Sequence, residues 1–263
     1  MSRQAVNIIA SPPPLRLLAP GLLALLALAA CAATAQKTHR EHEAAADNVQ
    51  LGLRYMEQGD LQLAKTKLDL ALKQDPGSAD VHSARGTLFA RLGEPAKADE
   101  EFRTALRAAP RDPDVQNNYG AYLCENGHTD EGVKRFLEAA HNALYRTPQA
   151  AYVNAGVCLR TAKRYDEAAA SFKQALALLP NYGEAAFQLA SLEFERGDLA
   201  AARTRIDTFV GTYEATPDLL LLGVRVTRAQ HDQIAAQRYA RRLQLDFPGS
   251  QQARALASLN NPG

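Results

Sequence analysis

A small residue recurs along this chain at near-constant spacing: Gly52, Gly86, Gly120, Gly156, Ala190 and Gly223 are separated by 34, 34, 36, 34 and 33 residues. Twelve residues after each of the first five stands a second small residue, Ala64, Ala98, Gly132, Ala168 and Ala202, and in the sixth unit the count stretches to thirteen at Ala236. Four residues further on come Leu68, Phe102, Phe136, Phe172, Ile206 and Ala240. Pro76, Pro110, Pro180 and Pro248 close four of the units. A unit of this length cannot bury an apolar face alone, so six copies must stack on one another into an elongated array.

Each mark has a physical task. Small residues let one helix lie close against another, and the bulky residue a turn later fills the space between them. Gly59, Gly93, Gly127 and Gly197 fall where the first helix of a unit ends and suit a left-handed cap. Proline ends the second helix, because it lacks a donor and clashes with the preceding turn. The pattern resembles the tetratricopeptide repeat over residues 45–249, in units at about 45–78, 79–112, 113–148, 149–182, 183–215 and 216–249. The resemblance implies an all-α fold, a right-handed superhelix of six helix-turn-helix repeats. Residues 250–263 supply a C-terminal capping helix and tail, with Ser250 as its N-cap.

Two units depart from the pattern. The third has Gly132 in place of alanine, Leu144 where proline would fall, and two extra residues before Pro148, so its second helix is expected to be longer or to end irregularly. The fifth has Glu193 at a usually bulky position and Glu214 in the proline place.

The N-terminus reads as an export signal over residues 1–30. Arg3 and Arg16 precede an apolar run from Leu17 to Ala30, too short to span a bilayer, which takes about 20 residues. Leu28-Ala29-Ala30-Cys31 resembles the bacterial lipobox, whose cysteine is acylated and becomes the mature N-terminus. The competing reading is cleavage after Ala33-Thr34-Ala35, which would release a soluble periplasmic protein. The lipobox reading makes Cys31 the lipidation site and 31–44 a short lipidated tether. Ala32 follows Cys31 where an aspartate would resemble the inner-membrane retention signal, so the expected location is the outer membrane, facing the periplasm.

Thirty basic and 29 acidic residues give a net charge of +1, which offers no field for nucleic acid. There is no glycine-rich phosphate loop, and the six histidines show no paired-ligand spacing. His128 lies four residues from Cys124, but it follows Gly127 in a turn and is expected to face solvent rather than form a thiol-imidazole pair. No enzyme, cofactor, metal or small-molecule substrate is expected.

With Cys31 acylated, Cys124 and Cys158 are the two remaining thiols in an oxidising compartment. They lie on the first helices of neighbouring units, whose axes stand about 8–10 Å apart. A bridge wants Cα atoms within about 7 Å, so the residues leave two readings open, a disulfide or two buried reduced thiols.

Positions two, five, nine, twelve and thirteen of each first helix are expected to line the inner surface. They give Val49, Leu53 and Met56, then Ser83, Thr87 and Arg91, then Asn117, Ala121 and Glu125, then Val153, Val157 and Arg160, with Phe187, Ser191, Phe194, Leu220 and Val224 in the last two units. Such a mixed groove suits an amphipathic helix or an extended peptide. Val49 and Leu53 replace the lysine and asparagine of a carboxylate clamp, which disfavours a chaperone-tail receptor. Asn118 and Asn154 are open to a structural reading, hydrogen bonds between helices.

The lipobox, the six repeats, Asn117-Asn118-Tyr119-Gly120 with Cys124, Ala143-Leu144-Tyr145-Arg146-Thr147-Pro148 and Tyr152-Val153-Asn154-Ala155-Gly156-Val157-Cys158 together resemble the type IV pilus biogenesis and stability lipoproteins of the PilF/PilW kind. The resemblance implies a pilotin, an outer-membrane lipoprotein that helps the pilus secretin subunit reach the outer membrane and multimerise. It also implies pairing of Cys124 with Cys158. A periplasm-facing adaptor for cell-wall enzymes is the alternative.

Overall fold

The computed structural model describes the backbone of residues 19–260 and the side chains of residues 38–257. Residues 1–18 of the expected export signal, the Cys31 side chain and residues 261–263 of the tail lie outside the described residues. Thirteen helices make up the described chain: α1 (Ala19–Glu57), α2 (Leu61–Gln74), α3 (Ala79–Arg91), α4 (Pro95–Ala108), α5 (Pro113–Glu125), α6 (Thr129–Ala140), α7 (Pro148–Thr161), α8 (Tyr165–Leu178), α9 (Gly183–Glu195), α10 (Leu199–Thr212), α11 (Pro217–Ala229), α12 (Gln233–Asp246) and α13 (Gln251–Asn260). No helix among the described residues is long and apolar enough to cross a membrane.

The helices pair as α1 with α2 through α11 with α12, and each first helix also packs on the first helix of the next unit. Second helices stand farther apart and meet only through side chains, as where Arg242 of α12 donates to the Val210 carbonyl of α10 at 3.0 Å, so the array curves around its first helices and leaves the second helices on the outside. The inner and outer faces therefore follow from the pairing alone.

The recurring small residue is where each pair closes. A β-carbon on Gly86 would stand 2.9 Å from the Phe102 ring, and one on Gly223 would stand 2.8 Å from the Tyr239 ring. The second contact corrects the expected register of the sixth unit. Tyr239, sixteen residues after Gly223 and 4% exposed, is the bulky residue, whereas Ala240 is only partly buried. Ala235 takes the small position, so the spacing of twelve holds in all six units. Ala235 and Ala236 are both small and both buried, and side-chain size alone does not separate them.

Left-handed caps close the first helices. Gly59, Gly93, Gly127 and Gly197 have φ between +72° and +81°. The fourth and sixth units place Lys163 (φ 61°) and His231 (φ 62°) in the same conformation, at a cost that glycine would not carry. Aspartate, serine or threonine caps seven helices at their N-termini, as when Asp112 accepts from the Val115 amide at 3.0 Å and Ser250, as expected, from the Ala253 amide at 3.1 Å.

The third unit ends irregularly, and its second helix is shorter rather than longer. Helix α6 has 12 residues where α2, α4, α8, α10 and α12 have 14. Asn142 stops it: its side-chain amide donates to the Arg111 carbonyl at 2.7 Å and its oxygen accepts from the Leu144 amide at 2.9 Å. These bonds hold the loop without a proline. In the fifth unit Glu193 accepts two bonds from Arg205, at 2.9 and 2.5 Å, so an ion pair replaces the usual apolar contact.

Candidate functional site

First helices α1, α3 and α5 enclose the start of the inner groove. A cavity of about 360 Å³ lies between them, with Val49, Leu53, Ala84 and Val115 on its floor and Asp80 and Asp114 at its rim. A second cavity of about 240 Å³ continues between α3 and α5, bordered by Thr87, Arg91, Asn118, Ala121 and Glu125. Apolar floor and charged rim together suit a segment that carries both apolar and charged side chains.

The rim is electrostatically tuned. Burial, reinforced by the charges of Asp112, Asp114 and Asp75, pushes the Asp80 carboxyl above the ordinary aspartate value. Burial and Asp112 push Asp114 the same way, against the pull of Arg146. Carboxylates held so are relieved by a cation, and a basic residue beside an apolar one is the segment chemistry that this rim favours.

Farther along, the groove wall is a ladder of bonds one repeat apart. Arg91 donates to the Met56 carbonyl at 2.7 Å, Asn118 to Ser83 at 3.2 Å, and Asn154 to Asn117 at 2.9 Å. Arg160 donates to Gln188 at 2.7 Å and to Glu195 at 3.0 Å. The asparagines thus tie first helices together, and Asn118 also faces both cavities.

Not every expected groove residue reaches the open surface. Leu53, Thr87, Arg91, Asn117, Ala121, Val157 and Arg160 are exposed or partly so. Val49 is 5% exposed but still forms cavity floor. Met56 and Val153, at 3% and 4%, are core residues, because the first helix of the following unit covers them. Ser191 is also buried, while Phe187 and Phe194 pack partly against the last cluster. Leu220 and Val224 are fully buried in one apolar cluster with Leu256 and Ala253 of α13. Helix α13 packs on α11 as a further first helix would, and Gln252 donates to Asp218 one repeat back at 2.7 Å. The groove is closed at that end.

Cys124 of α5 and Cys158 of α7 are joined by a disulfide, with Cα atoms 5.7 Å apart. It lies on the side of α5 facing α6, which places the Cys124 sulfur against Gly132. A β-carbon there would meet that sulfur and would stand 2.9 Å from the Gly120 carbonyl. The cystine therefore fills the volume that the alanine methyl occupies in other units. His128 is exposed in the turn beyond, and with Cys124 bonded to Cys158 no free thiol stands beside it.

Paired helices closing on a small residue, stacked around a groove, define a tetratricopeptide-repeat scaffold, an architecture for holding protein segments. Tetratricopeptide repeat family models match residues 49–113, 120–183 and 159–216. The type IV pilus assembly protein PilF of Pseudomonas aeruginosa is 34% identical over 215 residues, 81% of this chain and 85% of that protein. The chain belongs to the family of that protein. An uncharacterised protein of Haemophilus influenzae is 31% identical over 126 residues, 48% of this chain and 70% of that one. The solved structure of Pseudomonas aeruginosa PilF superposes with a TM-score of 0.63 at 33% identity, covering 83% of this chain and 98% of that chain. PilW, described as a widely conserved type IV pilus biogenesis factor, gives 0.63 at 29%, with coverage of 81% and 98%.

Proposed function

We propose that this chain is a pilotin: a lipoprotein, acylated at Cys31 and held at the outer membrane, that binds a segment of the type IV pilus secretin subunit and promotes secretin localisation and multimerisation. The observation that carries this reading is the 34% identity, over most of both chains, to a protein named for type IV pilus assembly. The groove on α1, α3 and α5 supports it, because an apolar floor beside raised carboxyls is a receptor for an amphipathic segment rather than a reaction centre. On this reading the protein is a scaffold and not an enzyme.

Photo-crosslinking residues placed at Leu53, Arg91, Asn117 and Arg160 in cells test the groove, with the outer-face residue Gln174 as control. The expected adduct contains the secretin subunit and forms from the groove positions. Adducts from Gln174 alone would end the groove model. Deletion of the gene tests the wider reading: secretin multimers and twitching should be lost, and intact multimers with altered cell shape would favour the cell-wall adaptor instead.

A further inference from the structure

The outer face of α12 exposes its aliphatic side chains more than the equivalent face of α2 does, where Leu63 and Leu70 beside Lys67 are 42% and 43% exposed. Ile234, Arg238, Arg241 and Leu245 follow one another at steps of four, three and four residues, so they form a single stripe along α12. Ile234 is 84% exposed and Leu245 72%, and both arginines are exposed. Arg242, on the neighbouring row, is engaged with Asp246 at 3.1 Å and with the Val210 carbonyl at 3.0 Å. Asp246 is the only acid on this helix. Arg238 and Arg241 enter no hydrogen bond or ion pair among the described residues, and Arg238 feels Asp232 only through space.

The repeat supplies its own comparison. The same four positions in the third unit hold Glu131, Arg135, Glu138 and Asn142, where Arg135 pairs with Glu131 at 3.5 Å and with Glu138 at 3.1 Å. That stripe pairs its one cation with two carboxylates. The α12 stripe carries uncompensated cations between two bare aliphatic side chains. It also stands in a basic part of the chain: residues 216–257 hold six arginines and three aspartates, with no lysine or glutamate, in a chain whose net charge is only +1.

We propose that this face of α12 docks on an anionic lipid bilayer. Ile234 and Leu245 are about 16 Å apart along the helix, at 1.5 Å per residue. The shallow cleft between them is walled by α12 alone, with no second helix to form a groove for a partner. A bilayer interface accepts such protruding side chains without a shaped receptor, and arginines between them reach lipid phosphates while their stems stay apolar. The proposal concerns a different face from the secretin groove and does not depend on it. Its consequence is a second hold on the membrane at the end of the array opposite the N-terminus.

The chain contains no tryptophan, so Leu245→Trp makes a single reporter in the full-length protein. The protein is reconstituted on vesicles of phosphatidylethanolamine with a quarter phosphatidylglycerol, and in parallel on neutral phosphatidylcholine vesicles. A blue shift with quenching by brominated lipid on the anionic vesicles is expected, lost when Arg238→Glu and Arg241→Glu are added. Ile234→Trp should behave in the same way, and Leu144→Trp, 87% exposed in the loop after α6, should not shift. Unchanged emission at 234 and 245 on anionic vesicles overturns the proposal, as does an equal shift on neutral vesicles. A concentration-dependent shift without vesicles would assign the stripe to a second copy of the chain and would equally overturn it.

Discussion

The sulfur of Cys124 stands where a β-carbon on Gly132 would have to be. The missing methyl in the third unit and the cystine between the third and fourth units are thus one feature, since the disulfide takes the space that the repeat usually gives to alanine. That joint also carries the shortened helix α6, which packs on α7 more extensively than any other second helix packs on the unit that follows it, so the cross-link reinforces a joint that is already close.

Gly132→Ala should destabilise the oxidised protein by about 2–3 kcal/mol, through overpacking against sulfur and the Gly120 carbonyl. In a Cys124→Ala, Cys158→Ala background the cost should fall, though not to zero, because the carbonyl remains. Thermal unfolding of the four proteins gives the coupling energy, and additive effects would contradict the shared-volume account.

Breaking the cystine should loosen the middle of the array first. The bridge spans 34 positions, for which chain-entropy arguments give roughly 3–4 kcal/mol. Hydrogen exchange with and without reductant should show protection lost in α5, α6 and α7 while α11 to α13 keep theirs, because each repeat contacts only its neighbours.

Lys163→Gly and His231→Gly should each raise stability by about 0.5–1 kcal/mol, the relief of a left-handed conformation less the entropy that glycine adds. Replacing Gly93 by lysine should have the opposite sign. Melting temperatures of the three variants check both directions.

Glu101 serves two partners, one buried and one partly buried. It accepts from the Arg85 Nε at 2.7 Å and from the His82 ring at 2.6 Å, and Arg85, 8% exposed, also pairs with Asp69. Glu101→Ala leaves a buried guanidinium short of a counter-charge and should cost about 3–5 kcal/mol. Chemical denaturation measures it, and a loss under 1 kcal/mol would mean that Asp69 alone satisfies Arg85.

Asp80 and Asp114 set a pH dependence at the groove. Their carboxyls are raised above the ordinary 3.8 in the folded chain, so their contribution to stability is fully present below that value and is lost as pH rises through the raised values. Asp80→Asn with Asp114→Asn should flatten that fall in pH-dependent melts and should weaken capture of a basic amphipathic segment.

Much of the fold is legible in the sequence because repetition averages out local noise. Small residues at near-constant intervals, glycine caps at 59, 93, 127 and 197, and bulky residues sixteen positions after the small one recur often enough to fix helix pairs without contacts being known. The sixth register is the place where size alone misleads: Ala235 and Ala236 are alike, and only the fit of Tyr239 against Gly223 separates them. The groove is legible as a set of positions. Which of them are open is not, because burial of Met56 and Val153 depends on how closely the next first helix approaches, and burial of Leu220 and Val224 on where α13 comes to rest.

What the sequence determined by itself is therefore the unit: its length, its turns, its close approaches and the family to which the chain belongs. Tertiary structure decided what neighbouring units do to one another. The joining of Cys124 to Cys158, the acidic rim of Asp80 and Asp114 and the unneutralised arginines of α12 all arise between residues about a repeat apart, or from the absence of a neighbour. Periodicity fixes the internal contacts of a repeat, and the faces that it presents outward emerge only when the repeats are stacked.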